Sequence, residues 1–246
     1  MVFFITGGSR GIGAGIVRDL LTAGHDVAFT YATRADLAAD LTAWAATHAP
    51  GRRCRAYALD VRDSSAVERV ADAVLADFDT IDAAVLNAAI NRMGLTISMS
   101  DEDWREVMDV NVTGAFYVCR QLLPAFLANR SGRFIHISSI AVYGMAGLAA
   151  YSASKAALCG FSASLSKEYG PKGITSNVLT LGFFDTDMSR ELMPDKQKAF
   201  WYETCPAKRM GTAADVSQAV LYLASPGAAF VNGETLHLTG GLRWAP

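Results

Sequence analysis

Between Ser139 and Lys155 the chain reads SIAVYGMAGLAAYSASK, a stretch that holds a hydroxyl, a phenol and an ammonium able to meet at one carbonyl oxygen. Tyr151 and Lys155 stand four residues apart. On a helix of 3.6 residues per turn this spacing sets the two side chains about 40° apart on one face, as neighbours. A free phenol titrates near pH ~10, and an ammonium beside it stabilises the phenolate, making the tyrosine a better acid toward a substrate oxygen. Tyr151 then reads as a general acid-base. The plainer alternative is a Tyr-x-x-x-Lys spacing that falls by chance on an amphipathic helix.

The elements that must position these groups begin at the first residues. Val2 to Thr6 is a short apolar run ending at glycines, and Ile12 to Leu21 carries apolar residues at helical spacing, so the opening predicts strand, turn, helix. The turn is Thr6-Gly7-Gly8-Ser9-Arg10-Gly11-Ile12-Gly13. It is either a simple tight turn or a cradle in which glycines let the backbone approach a pyrophosphate at the free N–H groups of the helix start. Asp26 to Tyr31 predicts a second strand and Ala35 to Thr47 a helix, completing a βαβ start. The second strand runs into Thr30-Tyr31-Ala32-Thr33-Arg34, without the acid that binds a ribose 2′-hydroxyl at its end. Arg34 and Arg10 are each either a solvated surface charge or a partner for a 2′-phosphate, and the second reading points to NADPH over NADH.

Further along, Cys54 to Asp60 predicts a third strand, Val67, Val70, Ala71 and Val74 mark one helix face, and Ile81 to Asn87 predicts a buried fourth strand. Ser100-Asp101-Glu102-Asp103 reads as a helix cap, so its acids carry no catalytic role. Asn111, inside an apolar helix, is either a local packing group or part of a water network. Phe134 to Ile137 predicts a fifth strand leading to Ser138 and Ser139, and Ile174 to Leu181 a sixth. From Gly182 to about Glu203 runs a long connection, either a mobile lid over substrate or two short surface helices. Val216 to Ala224 predicts the last helix and Glu234 to Leu238 the last strand. This alternation predicts one doubly wound α/β domain over residues 1–246, a parallel sheet with helices on both faces and a site beyond the carboxyl ends of the strands.

Composition closes off other classes. Of 246 residues 51% are hydrophobic and 19% charged, with a net charge of −2, which offers no basic field to a nucleic-acid backbone. No apolar run reaches the roughly 18 residues that span a bilayer. Cys54, Cys119, Cys159 and Cys205 are widely separated, as are His25, His48, His136 and His237, so neither a disulfide framework nor a metal site is expected. MVFFITGG runs straight into a strand pattern without a charged leader, which makes a cytoplasmic location the expectation.

Taken together, Thr6-Gly7-x-x-x-Gly11-x-Gly13, Asn87-Ala88-Ala89, Asn111, Ser139 and Tyr151-x-x-x-Lys155 resemble the short-chain dehydrogenase/reductase family over nearly the whole chain. GGSRGIG, LDV at Leu59 to Val61, VNVTGAF at Val110 to Phe116 and GETLHLTGG at Gly233 to Gly241 look like its 3-oxoacyl-carrier-protein reductases and polyketide-type ketoreductases. The resemblance implies a Rossmann fold in which Tyr151 donates the proton, Ser139 holds the carbonyl oxygen, Lys155 binds the nicotinamide ribose and acidifies Tyr151, and Asn111 holds a water. It implies further that Gly7, Ser9, Arg10, Gly11, Ile12 and Gly13 surround the diphosphate and adenosine phosphate. Asp60 and Val61 would meet the adenine, Asn87 the nearby ribose and Thr186 the nicotinamide amide.

The chain departs from the family at three places. Ala89 adds a methyl where glycine is frequent, and Leu181-Gly182 replaces a frequent Pro-Gly. The family's usual spacing to the tyrosine would select Ser138, whereas alignment from the strand Gly132 to Ile137 selects Ser139. A one-residue deletion in a loop is easier to accommodate than a slipped strand, which would turn every side chain to the opposite face, so Ser139 is preferred. Arg130 and Lys172 match positions where carrier-dependent relatives place basic residues beside the site entrance, although helix ends favour cations anyway. Apolar helices at Asn111 to Leu127 and Ala149 to Leu165 predict a homo-oligomer, dimer or tetramer. The expected activity is NADPH-dependent reduction of a 3-oxoacyl thioester, the alternatives being a free small ketone, alcohol or polyol as substrate, or a vestigial cofactor-binding scaffold or sensor.

Overall fold

The computed structural model describes residues 1–184 and 195–242. Short apolar runs form seven strands, β1 (Val2–Ile5), β2 (Asp26–Tyr31), β3 (Cys54–Ala58), β4 (Ala83–Leu86), β5 (Gly132–Ser139), β6 (Ile174–Leu181) and β7 (Thr235–Leu238). All pair in parallel, in one sheet ordered β3-β2-β1-β4-β5-β6-β7. Parallel strands need crossovers that cover both faces of the sheet. These are α1 (Gly11–Thr22), α2 (Ala35–His48), α3 (Ser64–Phe78), α4 (Asp101–Met108), α5 (Gly114–Asn129), α6 (Ala149–Tyr169), α7 (Asp195–Thr204) and α8 (Ala213–Ala224).

Adjacent strand residues point to opposite faces, and this alternation divides the core. Phe3, Ile5, Phe29, Ile135 and Leu179 pack with Val17 and Leu20 of α1, Leu41 of α2 and Val220 of α8. Phe4, Ala28, Ala84 and Phe134 pack instead with Val74 of α3, Leu122 and Phe126 of α5, and Leu158 of α6. β1 has a neighbour on each side, β2 and β4, at the point where the strand order reverses. The carboxyl ends of these strands therefore flank the crevice in which parallel α/β sheets bind ligands.

Most element ends shift by one to three residues from the sequence expectation, and two of these shifts have a visible cause. β5 runs from Gly132 to Ser139 because β6 pairs with it across all eight positions, so Ser138 and Ser139 belong to the strand. α8 starts at Ala213, before its apolar face begins, because Thr212 and Asp215 form a reciprocal capping box that satisfies the first N–H groups. Ser100 does cap α4, accepting from the Asp103 N–H at 3.0 Å. Among the described residues no helix is long and apolar enough to cross a membrane.

Candidate active site

At the end of β1 the chain turns through Gly7 and Gly11, whose φ angles of 65° and 54° lie in the left-handed region that favours glycine. A Cβ on Gly13 would sit 2.3 Å from the Gly7 carbonyl oxygen, so only glycine lets α1 start this close to the turn. Ser9 and Ile12 lie half-buried in the same turn, and Arg10 is exposed. Arg10 stands at the N-cap of α1 without a side-chain cap bond, and the first turn holds no acid. α3 shows the contrast, since Asp63 accepts from the N–H groups of Ser65 and Ala66. The free N–H groups and positive dipole end of α1 suit an anion, and the glycine cradle admits one, so these residues fit a dinucleotide diphosphate.

Two neighbouring strands hold the cradle in shape. The Gly7 N–H donates to Thr30 Oγ1 at 3.2 Å, and Asn87 Nδ2 donates to the carbonyls of Thr6 and Gly7 at 3.1 and 2.9 Å. Thr6 Oγ1 in turn accepts from the N–H groups of Asn87 and Ala88, each at 3.0 Å. Asn87, matched by resemblance to a ribose contact, is here the staple between the β1 and β4 ends. The contributions of Thr6 and Thr30 were not evident from sequence, because they depend on which strands become neighbours.

Other expected cofactor residues are already engaged. Arg34 lies just past β2, but its guanidinium grips Asp36. Asp60 lies past β3 and forms a bidentate pair with Arg62, which holds its carboxyl below the usual carboxylate range. Val61 is buried beneath Gly114, where an added Cβ would come within 2.6 Å of the valine methyl, so Val61 serves the core. Thr186 lies outside the described residues.

The acid-base groups converge at the end of β5. The Ser139 hydroxyl lies near enough to Tyr151 to influence its phenol and accepts from the Ala141 N–H at 3.2 Å, while Ser138 turns the other way and donates to the Lys155 carbonyl at 3.0 Å. Burial pushes the Tyr151 phenol above its ordinary range, and the nearby Ser139 hydroxyl offsets part of that rise. Lys155 Nζ lies 5.5 Å from the Tyr151 ring centre and donates to the Ile137 carbonyl at 2.8 Å. Burial pulls the Lys155 ammonium down to about 8. In this arrangement the Lys155 ammonium is committed to the Ile137 carbonyl, and burial shifts both groups toward their neutral forms.

Asn111 sits in a π-turn, Asp109–Thr113, between α4 and α5. Its Oδ1 accepts from the Ile90 N–H at 2.8 Å, and its Nδ2 donates to the Ile90 carbonyl and to Ser154 Oγ, both at 3.0 Å. Ser154 donates onward to the Tyr151 carbonyl at 2.7 Å. The Asn111 amide is therefore a clamp joining the loop after β4 to α6. Ile90 and Ser154 gave no signal in sequence, since neither residue type implies a long-range partner.

Arg130 and Lys172 do not lie beside this entrance. Arg130 caps the end of α5 two residues before β5 begins, and Lys172 precedes β6 by two residues. Ser139 is at the opposite end of the eight-residue β5, roughly 23 Å away at strand rise. A docking rim built from them would lie at the amino ends of β5 and β6, away from Ser139.

Comparison with known proteins agrees with this architecture. Residues 7–243 match the family model described as Enoyl-(Acyl carrier protein) reductase. The 3-oxoacyl-(acyl-carrier-protein) reductase FabG of Escherichia coli is 38% identical over 242 residues, covering 98% of this chain and 96% of that protein. Nodulation protein G of a Rhizobium species is 38% identical over 243 residues, covering 97% and 95%. Among solved structures, a double mutant of a Serratia marcescens short-chain dehydrogenase/reductase superposes with a TM-score of 0.89 at 32% identity, covering 98% of this chain and 97% of the other.

Proposed function

The chain belongs to the short-chain dehydrogenase/reductase family, oxidoreductases acting on CH–OH and C=O groups, and from that premise we propose that it is an NADPH-dependent ketoreductase for a 3-oxoacyl thioester. The observation that carries the reading is that the Ser139 hydroxyl and the Tyr151 phenol are brought near each other at the carboxyl end of β5. Two O–H donors side by side suit a carbonyl oxygen that gains negative charge, whereas reduction of an isolated C=C would offer them no oxygen. Relatives named 3-oxoacyl-carrier-protein reductases support the substrate class.

In this reading Ser139 holds the ketone oxygen and Tyr151 gives it a proton. Its raised pKa keeps the phenol protonated, and therefore able to donate, throughout the neutral range. Lys155 stabilises the phenolate left behind, and Asn111 keeps α6 and the loop after β4 in register. Gly7, Ser9, Arg10, Gly11, Ile12 and Gly13 would hold the NADPH diphosphate and 2′-phosphate, with Arg34 at the phosphate, Asp60 and Val61 near the adenine, and Asn87 and Lys155 toward the riboses. Bound NADPH supplies the hydride.

The test is to mix protein, NADPH and an acetoacetyl thioester and follow nicotinamide absorbance. Oxidation of NADPH at a rate proportional to enzyme is the expected result, and no oxidation overturns the reading. Turnover of a simple ketone with equal or higher kcat/KM would move the assignment to free small ketones.

A further inference from the structure

Trp201 stands on α7 and is only 3% exposed. Its ring lies flat on Phe183, with centres 4.9 Å apart and planes 8° from parallel. Ile140, Cys205 and Leu242 complete a small separate core around it, with Met145 packed alongside. Among the described residues Trp201 Nε1 has no hydrogen-bond partner. A buried indole N–H ordinarily finds one, because leaving it bare forfeits its desolvation cost. Ser138 is paired with Lys155, Lys155 with Ile137, and Asn111 with Ile90 and Ser154, whereas Ser152 Oγ and Thr180 Oγ1, like Trp201 Nε1, are buried without a partner.

The position of this bare donor is informative. Ile140 directly follows Ser139, and Phe183 lies two residues beyond Leu181, the register partner of Ser139. Trp201 therefore covers the carboxyl ends of β5 and β6, where a parallel sheet receives substrate.

We propose that Trp201 Nε1–H donates to a second carbonyl of the substrate, the thioester oxygen of a 3-oxoacyl compound whose ketone oxygen meets Ser139 and Tyr151. This rests on the ketoreductase reading. One carbon separates the two carbonyl groups of such a compound, so their oxygens need donors from adjacent loops. Trp201 packs on the loop that leaves Ser139 and on the segment that leaves its register partner. A neutral donor matches an uncharged thioester oxygen. Trp201 makes and breaks no bond; it binds and orients. A ketone lacking the second acceptor leaves the N–H bare, which gives the site a reason to prefer 3-oxoacyl compounds.

Trp201→Phe tests this, since phenylalanine keeps an aromatic ring on Phe183 and removes the N–H. The variant is compared with wild type on an acetoacetyl thioester and on a cyclic monoketone, after thermal melting and NADPH titration show that it folds and binds cofactor. Expected is a roughly fivefold to tenfold loss in kcat/KM on the thioester with no loss on the monoketone. Equal loss on both, or none on the thioester, overturns the proposal. If wild type reduces neither, the ketoreductase reading itself fails. A binding measurement covers that case and a poorly folding variant. In wild type with NADP+, the Trp201 indole proton resonance is expected to move downfield and exchange more slowly with solvent on adding a 3-hydroxybutyryl thioester. A resonance that does not respond, whether bare or already bonded to water, overturns the contact.

Discussion

The Arg34 guanidinium clasps the Asp36 carboxylate, with Nε 2.9 Å from Oδ1 and a terminal nitrogen 2.6 Å from Oδ2. The arginine holds the Asp36 carboxyl down to about 2, so the carboxylate stays charged at neutral pH and competes with a 2′-phosphate for Arg34. Arg10, by contrast, is in no ion pair with a described residue. Removing the competitor by Asp36→Asn is expected to raise the ratio of NADPH to NADH affinity roughly threefold or more, and Arg10→Ala to lower it more than Arg34→Ala does. Fluorescence titration with both cofactors measures this, and an Asp36→Asn ratio equal to wild type would remove Arg34 from the 2′-phosphate.

Tyr151→Phe takes away the transferable proton beside Ser139 while leaving a ring of nearly the same shape. Loss of a general acid is expected to cost about 100-fold or more in kcat, with NADPH affinity within about twofold of wild type. Steady-state turnover together with cofactor titration separates the two effects. Near wild-type turnover would exclude Tyr151 as the acid.

Lys155→Met is expected to abolish most turnover yet stabilise the cofactor-free protein at pH 7. Burial lowers the Lys155 pKa from 10.5 to about 8, so at pH 7 the folded wild type bears the cost of a buried ammonium. Between about pH 8 and 10.5 the unfolded lysine binds more proton than the folded one, so wild-type stability rises with pH through this window. The gap in Tm between variant and wild type should therefore be several degrees at pH 7 and shrink toward pH 10. A gap that is constant across this range would mean that charge burial is not its source.

Phe116 and Leu127 are 41% and 37% exposed on α5, Phe116 meets Phe161 of α6 edge-on, and Arg120 lies over both Phe116 and Tyr117. An aromatic surface spanning two helices fits burial against a second copy. Light scattering at micromolar concentration is expected to give a dimer or tetramer, and Phe116→Glu to shift it toward monomer. A wild-type monomer mass would overturn this.

Much of the molecule was legible in the residue order. Largely apolar runs ended by glycine or polar residues located the seven strands, most clearly β1 and β4, whose residues are all apolar and buried. The β5 boundary was missed because Gly132, Arg133, Ser138 and Ser139 carry no strong strand signal, and their pairing comes from β6. The acid-base residues were legible from the helical spacing of Tyr151 and Lys155 and from the strand leading to Ser139. Their electrostatics were not, because desolvation depends on everything packed around them.

Sequence alone determined which chemical groups exist and which lie close through local geometry: the glycine turn, the four-residue step from Tyr151 to Lys155, and the alternation of strand and helix. These follow from backbone sterics and helical repeat, which act over a few residues. Only the tertiary structure decided that Ser139 faces Tyr151 while Ser138 turns to the Lys155 carbonyl. It likewise decided that Asn87 staples the glycine turn, that Arg34 is occupied by Asp36, and that Arg130 and Lys172 lie at the far end of β5. It also left the Trp201 N–H without a partner beside the carboxyl ends of β5 and β6. Hydrogen-bond partners and burial are set by which strands become neighbours and which helix covers them, a long-range outcome that the spacing of residues along the chain does not encode.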